Sequence, residues 1–282
     1  MTTILVTGAT GRVGRHVVQG LLAAGVTVRA LVRNPPQAGL PPEVEIAQGD
    51  IYDPAAVSRA AAQVDAVFLL WPSFSAEGAE PMVSALTKQV SRVVYLSAMN
   101  VQDDQPAAAN GVWGELEDLL SGTDWTFLRA GGFAVNTQEW ADQIRTGEVV
   151  RVPSPEAGRS LIHERDLAAV AVLALLDDKH VGQKYVLTGP ETLTQTEQIA
   201  ILADAIGKPL RIEEVPAAEA RQAMLAFGAD PILADSSVAY WASLVDNPEP
   251  VTTTVPTLLG RPALTYRDWA KEHAAEFRAP TD

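Results

Sequence analysis

The stretch that decides the fold reads Val6-Thr7-Gly8-Ala9-Thr10-Gly11-Arg12-Val13-Gly14. It follows a short apolar run and precedes an apolar pattern of helical period, so its glycines stand between a strand and a helix. Gly8 permits a tight turn, Gly11 lets backbone N–H groups approach a ligand, and Gly14 allows close packing of helix on strand. Free N–H groups and the dipole at a helix N-terminus hold negative charge. The stretch therefore predicts a binding site for the diphosphate of a dinucleotide.

Outward from this loop, the first half of the chain alternates short apolar runs with helical stretches. Predicted strands cover residues 4–6, 26–32, 44–47, 64–70, 93–96 and 125–128. Predicted helices cover residues 13–24, 54–62, 80–90 and 111–120. Continuous apolar strands separated by helices are typical of a parallel sheet that is covered on both faces. Because such crossovers are right-handed, we predict a doubly wound Rossmann domain over residues 1–150.

The second half changes character and is richer in helix and turn signals. Predicted strands cover residues 149–152, 185–187 and 211–215, and predicted helices cover 166–176, 194–206, 217–227 and 266–277. Asp166 stands where an N-cap for the second-half apolar helix is expected. We expect residues 151–282 to form a small C-terminal α/β lobe that packs with the sheet as one unit and forms the substrate pocket.

Composition narrows the function classes. Of 282 residues 47% are apolar, and the formal net charge is 21 − 35 = −14, which disfavours direct binding of nucleic acid. Cysteine is absent, and no His/Asp/Glu cluster has metal-ligand spacing, so we expect no disulfide and no metal. No apolar run approaches the roughly 18 to 20 residues of a membrane span, and the N-terminus does not resemble a signal peptide. We expect a cytoplasmic monomer or homodimer without membrane contact.

The end of the second predicted strand bears on cofactor choice. An acidic residue there would bond the ribose 2′-hydroxyl of NAD, but the sequence has Arg33 and no carboxylate before Glu43. A guanidinium suits a 2′-phosphate, because its donors pair with phosphate oxygens two at a time. Arg12 adds a second positive charge or lies over the adenine. We predict NADP(H), with NAD(H) as the alternative and a solvated loop arginine as the other interpretation of Arg33.

The carboxyl ends of parallel strands are where ligands bind in open α/β sheets. Asp50 is placed to accept from the adenine amino group, and Ser97 is expected near the nicotinamide. The predicted cofactor site comprises Gly8, Thr10, Gly11, Arg12, Val13, Gly14, Arg33, Asp50, Ile51, Leu70, Trp71 and Ser97.

These residues resemble the atypical short-chain dehydrogenase/reductase superfamily, and within it NmrA-like proteins and type 2 quinone oxidoreductases. The resemblance spans nearly the whole chain. It is carried by the glycine loop, Leu31-Val32-Arg33-Asn34, Gly49-Asp50, Leu96-Ser97-Ala98, Glu117-Asp118-Leu119-Leu120, Trp125-Thr126-Phe127-Leu128-Arg129, residues 162–170 and Leu187-Thr188-Gly189-Pro190-Glu191.

Most of that superfamily uses a Tyr-x-x-x-Lys pair, in which the tyrosine donates a proton while hydride arrives from the nicotinamide. No tyrosine of this chain has a lysine four residues later; those positions hold Ala56, Met99, Gly189, Leu244 and Ala270. If Glu117 marks the usual helix glutamate, the tyrosine position falls at about Ala109 and the lysine position at Trp113. The standard acid–base mechanism is therefore excluded.

Two hypotheses remain. The first is an NADP(H)-dependent oxidoreductase that transfers hydride to a quinone or to a polycyclic or otherwise activated ketone without a dedicated acid. The second is a non-catalytic NADP(H)-binding regulator that acts through a protein partner, as the resemblance to NmrA-like proteins implies. A sugar-nucleotide epimerase is disfavoured, because that reaction also needs the missing tyrosine.

Several side chains are candidates with two interpretations each. Ser97 is a candidate catalytic hydrogen-bond donor, or a satisfied strand-end serine, and no other catalytic residue is assigned. His163 is a proton donor or a structural residue. An aromatic, quinone-like substrate is expected to stack on aromatic side chains. The candidate substrate residues are Trp113, Phe133 and Trp140, and the alternative interpretation is that these side chains lie in the hydrophobic core. Ala130-Gly131-Gly132 leaves room for a ligand beside Phe133, and Arg129 is expected to pair with a helix carboxylate.

Overall fold

In the computed structural model, which describes residues 2–278, the chain divides into two compact units. One unit includes the chain up to Ala130, Glu164–Leu187 and Thr257–Gly260. The other includes Gly131–His163, Thr188–Pro256 and the chain from Arg261 onward. The sequence placed a single boundary after residue 150. The structure differs because the chain returns to the first unit to add one more helix and one more strand to its sheet.

The strands are β1 (Thr3–Val6), β2 (Thr27–Val32), β3 (Glu45–Gln48), β4 (Ala66–Leu69), β5 (Arg92–Ala98), β6 (Asp124–Ala130), β7 (Val149–Val152), β8 (Gly158–Arg159), β9 (Gln183–Leu187), β10 (Leu193–Thr194) and β11 (Arg211–Glu214). The α-helices are α1 (Gly14–Ala23), α2 (Pro54–Ala61), α3 (Ala79–Thr87), α4 (Gly111–Leu120), α5 (Ala141–Thr146), α6 (Glu164–Leu176), α7 (Gln195–Ile206), α8 (Ala217–Ala226), α9 (Pro231–Asp246), α10 (Thr254–Leu259) and α11 (Tyr266–His273). No helix in residues 2–278 is long and apolar enough to cross a membrane.

The first unit is built on a seven-stranded sheet of order β3-β2-β1-β4-β5-β6-β9, and all its neighbouring strands are parallel. The chain runs outward from β1 to β3 on one side and from β4 to β9 on the other. This reversal between β1 and β4 is the position at which doubly wound sheets bind ligands, outside the strands' carboxyl ends. The prediction of a doubly wound Rossmann fold is confirmed.

The central strands are buried on both faces, as their unbroken apolar sequence requires. Every residue of β4 is buried, and Val67 and Leu69 join a core that includes Leu5, Tyr95, Leu116 and Phe127. Helix α6 begins at Glu164, so Asp166 lies fully buried inside the first turn of the helix. The prediction of Asp166 as the N-cap was wrong, because the helix begins at Glu164, two residues before the start predicted from the apolar residues.

The second unit contains the parallel pair β7–β11 and the antiparallel pair β8–β10, and its own core includes Trp269 and Phe277. Its longest helix, α9, was missed by the sequence. The start signal is present, since Asp230 accepts from the backbone N–H of Ile232 at 2.8 Å. Only Ala234 and Leu244 of this helix are buried, so the sequence was under no demand for the apolar stripe of helical period by which a helix is recognised.

Candidate functional site

The glycine loop is fastened to two neighbouring strands. The Thr7 hydroxyl accepts from the backbone N–H of Leu70 at 2.7 Å and donates to Phe68 O at 3.2 Å, which ties the end of β1 to the end of β4. Gly8 then turns the chain with a φ of 63°, in the region that favours glycine. The Gly11 N–H closes the turn on Gly8 O at 2.9 Å. The loop is therefore fixed at the sheet's reversal point.

Helix α1 approaches this loop so closely that only glycine fits at its first residue. A Cβ on Gly14 would lie 2.0 Å from Gly8 O and 2.7 Å from Gly8 C, both backbone atoms. A Cβ on Gly11 would lie 3.1 Å from the same oxygen. The three glycines thus form one compact cradle, and the residues present fit the diphosphate group that the motif predicts.

The cradle presents donors and positive charge. Helix α1 has no side-chain cap and no acidic residue in its first turn, so its N-terminal dipole is not neutralised locally. Thr10, Gly11 and Arg12 are exposed. The Arg15 guanidinium donates to Thr10 O at 3.0 Å and to Gly11 O at 3.3 Å, so it covers loop carbonyls. Sequence reasoning missed Arg15, although a basic residue one helical turn after Gly11 was a readable signal.

The ends of β2 and β3 hold the residues predicted to meet the adenosine half. Arg33 is exposed, and its side chain makes no hydrogen bond or ion pair with residues 2–278. Asp50 is half-buried and accepts from the backbone N–H of Tyr52 at 3.1 Å. Ile51 packs against the core of the first unit. The Arg33 guanidinium is therefore available to bind a phosphate, whereas one carboxylate oxygen of Asp50 already accepts a hydrogen bond from the protein backbone.

The two predicted cofactor residues that follow β4 have different surroundings: Leu70 faces the glycine loop, and Trp71 is buried. Leu70 Cδ1 lies 3.3 Å from the position of a Cβ on Gly8. Trp71 is buried, and its Nε1 donates to Ser75 O at 2.8 Å, while Tyr52 meets its ring edge-on at 5.0 Å. Trp71 therefore lies in the core and holds the following loop in place.

Ser97 belongs to a buried charged network. Its hydroxyl donates to Glu117 Oε1 at 2.6 Å, and Arg129 donates to Oε1 at 3.0 Å and to Oε2 at 2.6 Å. The predicted pairing of Arg129 with a helix carboxylate is confirmed. Asp103 bridges Lys184 and Arg129, whose donated hydrogen bonds hold the pKa of that carboxyl below its usual range. Because the hydroxyl proton of Ser97 is donated to Glu117, the side chain of Ser97 connects β5 to α4.

Four of the tyrosines are weaker acids in the folded protein than in water. Burial is the main cause of a raised pKa at four of them, and Tyr240, which donates to Glu249 at 2.7 Å, reaches about 12. The other three are Tyr95, Tyr185 and Tyr266. Ala109 is exposed at the expected tyrosine position, and Trp113 is half-buried at the expected lysine position. The two positions predicted for the acid–base pair therefore hold side chains that cannot exchange a proton.

The predicted aromatic residues are divided between the units. Trp113 lies in the first unit, where Phe74 meets it edge-to-face at 6.0 Å. Phe133 and Trp140 belong to the second unit and pack against its core. The space predicted beside Gly132 is filled, since a Cβ there would lie 2.6 Å from the Arg159 guanidinium carbon.

His163 is buried in the second unit, where its Nε2 lies 3.4 Å from Glu272 Oε2 and its ring is 6.5 Å from that of His273. This enclosure favours the structural interpretation of His163 over that of a proton donor. The residues predicted to bind cofactor, by contrast, lie at the carboxyl ends of five adjacent strands of one sheet.

Comparison with known proteins agrees with this geometry. A family profile described as NAD(P)H-binding matches residues 8–178. The chain is 39% identical over 281 residues to a (4-alkanoyl-5-oxo-2,5-dihydrofuran-3-yl)methyl phosphate reductase of Streptomyces griseus, covering 97% of this chain and 99% of that one. It is 35% identical over 284 residues to an NAD(P)H azoreductase of Xenophilus azovorans, covering 98% and 99%. The crystal structure of a new type of NADPH-dependent quinone oxidoreductase from Escherichia coli superposes with a TM-score of 0.77 at 25% identity, covering 95% of this chain and 98% of that one.

Proposed function

The chain belongs to the NAD(P)H-binding family, within the atypical short-chain dehydrogenases/reductases. From this premise we propose that it is an NADP(H)-dependent reductase whose acceptor is a quinone or a polycyclic or otherwise activated ketone. The observation that carries the proposal is the combination of an intact glycine cradle with alanine and tryptophan at the positions predicted for the acid–base pair.

The loop residues have separate tasks in binding NADP(H). The backbone N–H groups around Gly11 and at the start of α1 bind the diphosphate, and Arg12 adds positive charge beside them. Arg33 pairs with the 2′-phosphate, because its exposed guanidinium has no partner among the described residues. When bound, NADP(H) supplies a hydride.

The missing acid restricts the acceptor. Reduction by one hydride and one proton leaves a negative charge on the acceptor until the proton arrives. The aromatic ring of a reduced quinone delocalises that charge, and electron-withdrawing neighbours stabilise it on an activated ketone, so water is a sufficient proton source. A simple ketone concentrates the charge on one oxygen and needs a positioned acid. The chain therefore suits electron-poor conjugated acceptors.

The relatives support this class of acceptor. Their names refer to an azo group, a quinone and a dihydrofuran ring whose double bond is conjugated with two carbonyls. All three are electron-poor π systems. Trp113 provides an aromatic surface for such a ring in the first unit, and Phe133 and Trp140 are the further predicted substrate residues.

The regulator hypothesis predicts binding without turnover. The test is the decay of NADPH absorbance with a panel of quinones, aryl ketones and azo compounds, beside calorimetric titration with NADPH alone. Turnover of quinones above simple ketones supports the proposal, whereas tight binding with no acceptor reduced supports the regulator. The control is Tyr52→Phe, which removes an exposed hydroxyl in the same unit. If this variant abolished turnover, the reaction would depend on a tyrosine acid.

A further inference from the structure

A large aromatic side chain is left in solvent at the ligand-binding edge of the first unit. Phe74 lies in the loop between β4 and α3 and is 70% exposed. Its ring meets that of Trp113 at a centroid distance of 6.0 Å and an interplanar angle of 81°. Single exposed apolar residues are common on protein surfaces. Here the exposed ring is paired, and the pair forms a perpendicular corner.

The loop that carries Phe74 is ordered by its own hydrogen bonds. The buried Trp71 donates to Ser75 O at 2.8 Å. The Ser75 N–H donates to Ser73 Oγ at 3.0 Å, and the Glu77 N–H donates to Ser75 Oγ at 3.1 Å. These bonds hold the residues on both sides of Phe74, so its exposed ring is presented by a fixed backbone.

The second wall of the corner is fixed independently. The Asn110 side chain accepts from the Gln102 N–H at 2.8 Å and donates to Gln102 O at 2.9 Å, which holds the segment that leads into α4. A Cβ on Gly114 would lie 2.3 Å from Asn110 Cβ, so this segment packs directly on the helix. Trp113 lies between Asn110 and Gly114 along the chain, and its side chain packs partly on the core of the first unit.

The corner is close to the glycine cradle along the chain. Leu70 is bonded to Thr7 at the end of β1, and Phe74 follows four residues later. At no more than about 3.5 Å per residue, the two Cα atoms lie within roughly 14 Å. Trp113 itself stands at the position predicted for the lysine of the superfamily's Tyr-x-x-x-Lys pair. The corner therefore lies on the sheet edge at which the hydride is delivered in the proposed function.

We propose that Phe74 and Trp113 bind the flat ring system of the acceptor and select extended planar acceptors over compact ones. The inference rests on the proposed function and adds Phe74 as a residue that determines specificity. An electron-poor ring stacks on the exposed face of Phe74 while its edge contacts Trp113, and both contacts grow with the number of fused rings. A single-ring acceptor leaves most of this surface uncovered.

The test compares 9,10-phenanthrenequinone, which is planar with three fused rings, with 1,4-benzoquinone. We expect Phe74→Ala to raise KM for phenanthrenequinone roughly 3- to 10-fold, the loss of one aromatic contact, with little change in kcat. KM for benzoquinone should change less than about 2-fold. Phe74→Tyr should restore the preference. Leu119→Ala, which truncates an exposed side chain on α4, is the matched control.

Failure of the inference and failure of the proposed function give different results. If the wild-type protein reduces both quinones and Phe74→Ala leaves the ratio of their KM values unchanged, the inference is overturned alone. If the wild-type protein reduces neither quinone, the proposed function fails. The calorimetric affinity for phenanthrenequinone then decides the inference, because loss of Phe74 must still weaken binding by a similar factor.

Discussion

Replacing Gly14 with alanine puts a methyl group into the tightest backbone contact of the glycine cradle. The added Cβ would lie 2.0 Å from Gly8 O, whereas ordinary contact begins at 3.4 Å, so α1 and the loop must separate by about 3.4 − 2.0 = 1.4 Å. Neither partner is a flexible side chain that could turn away. The shift exceeds what the 2.9 Å bond from the Gly11 N–H to Gly8 O can absorb.

We expect Gly14→Ala to raise the Kd for NADPH by at least roughly 10-fold, which is about 1.4 kcal/mol, and to lower the free energy of unfolding by about 1–3 kcal/mol. Calorimetric titration measures the first effect and urea denaturation the second. Gly122→Ala is the matched control, because a Cβ on Gly122 meets nothing within 4 Å. A folded Gly14→Ala protein that binds NADPH within about 2-fold of wild type would refute the proposed role of the cradle.

Three further variants test other parts of the structure. Arg33→Asp should weaken NADPH binding roughly 10- to 100-fold and leave NADH binding unchanged or stronger; an unchanged preference in calorimetry would remove Arg33 from the site. Glu117→Ala should cost about 3–5 kcal/mol in urea denaturation, because it leaves the buried Arg129 guanidinium without its main partner; a loss below about 1 kcal/mol would contradict this. Burial lowers the pKa of His180 in the folded chain. Below about pH 6.5 the unfolded chain therefore binds a proton at this histidine more readily than the folded chain does, and the free energy of unfolding decreases as the pH falls. His180→Phe should therefore show a smaller drop in Tm between about pH 7.5 and about pH 5.5 than wild type, and an equal drop would be inconsistent with a buried neutral His180.

The sheet and its loop were predictable because their signals are local. Six apolar runs, each followed by a helical pattern or a turn, placed six of the seven strands of the first unit's sheet within a few residues of their observed bounds. The glycine spacing needed no tertiary information, since a sharp turn and a close helix approach both depend on missing Cβ atoms. The pairing of Arg129 with a helix carboxylate was also accessible, because a buried arginine requires a charged partner.

The parts that failed depend on contacts distant in sequence. Helix α9 carries apolar residues that remain mostly unburied, so no stripe marked it. The space expected at Gly132 is taken by Arg159, which comes from another strand. Ser97 was considered alone, while its partner Glu117 is twenty residues away. Phe74 gave no signal, because only the structure shows that it pairs with Trp113.

The most direct measurement is single-turnover oxidation of NADPH by a quinone, carried out with ordinary NADPH and with NADPH deuterated at the transferred position. A hydride reductase without a tyrosine acid should oxidise both, with a slower rate for the deuterated cofactor, and Tyr52→Phe should leave that rate unchanged. If tightly bound NADPH stayed reduced with every quinone offered, the chain would bind the dinucleotide without being a reductase.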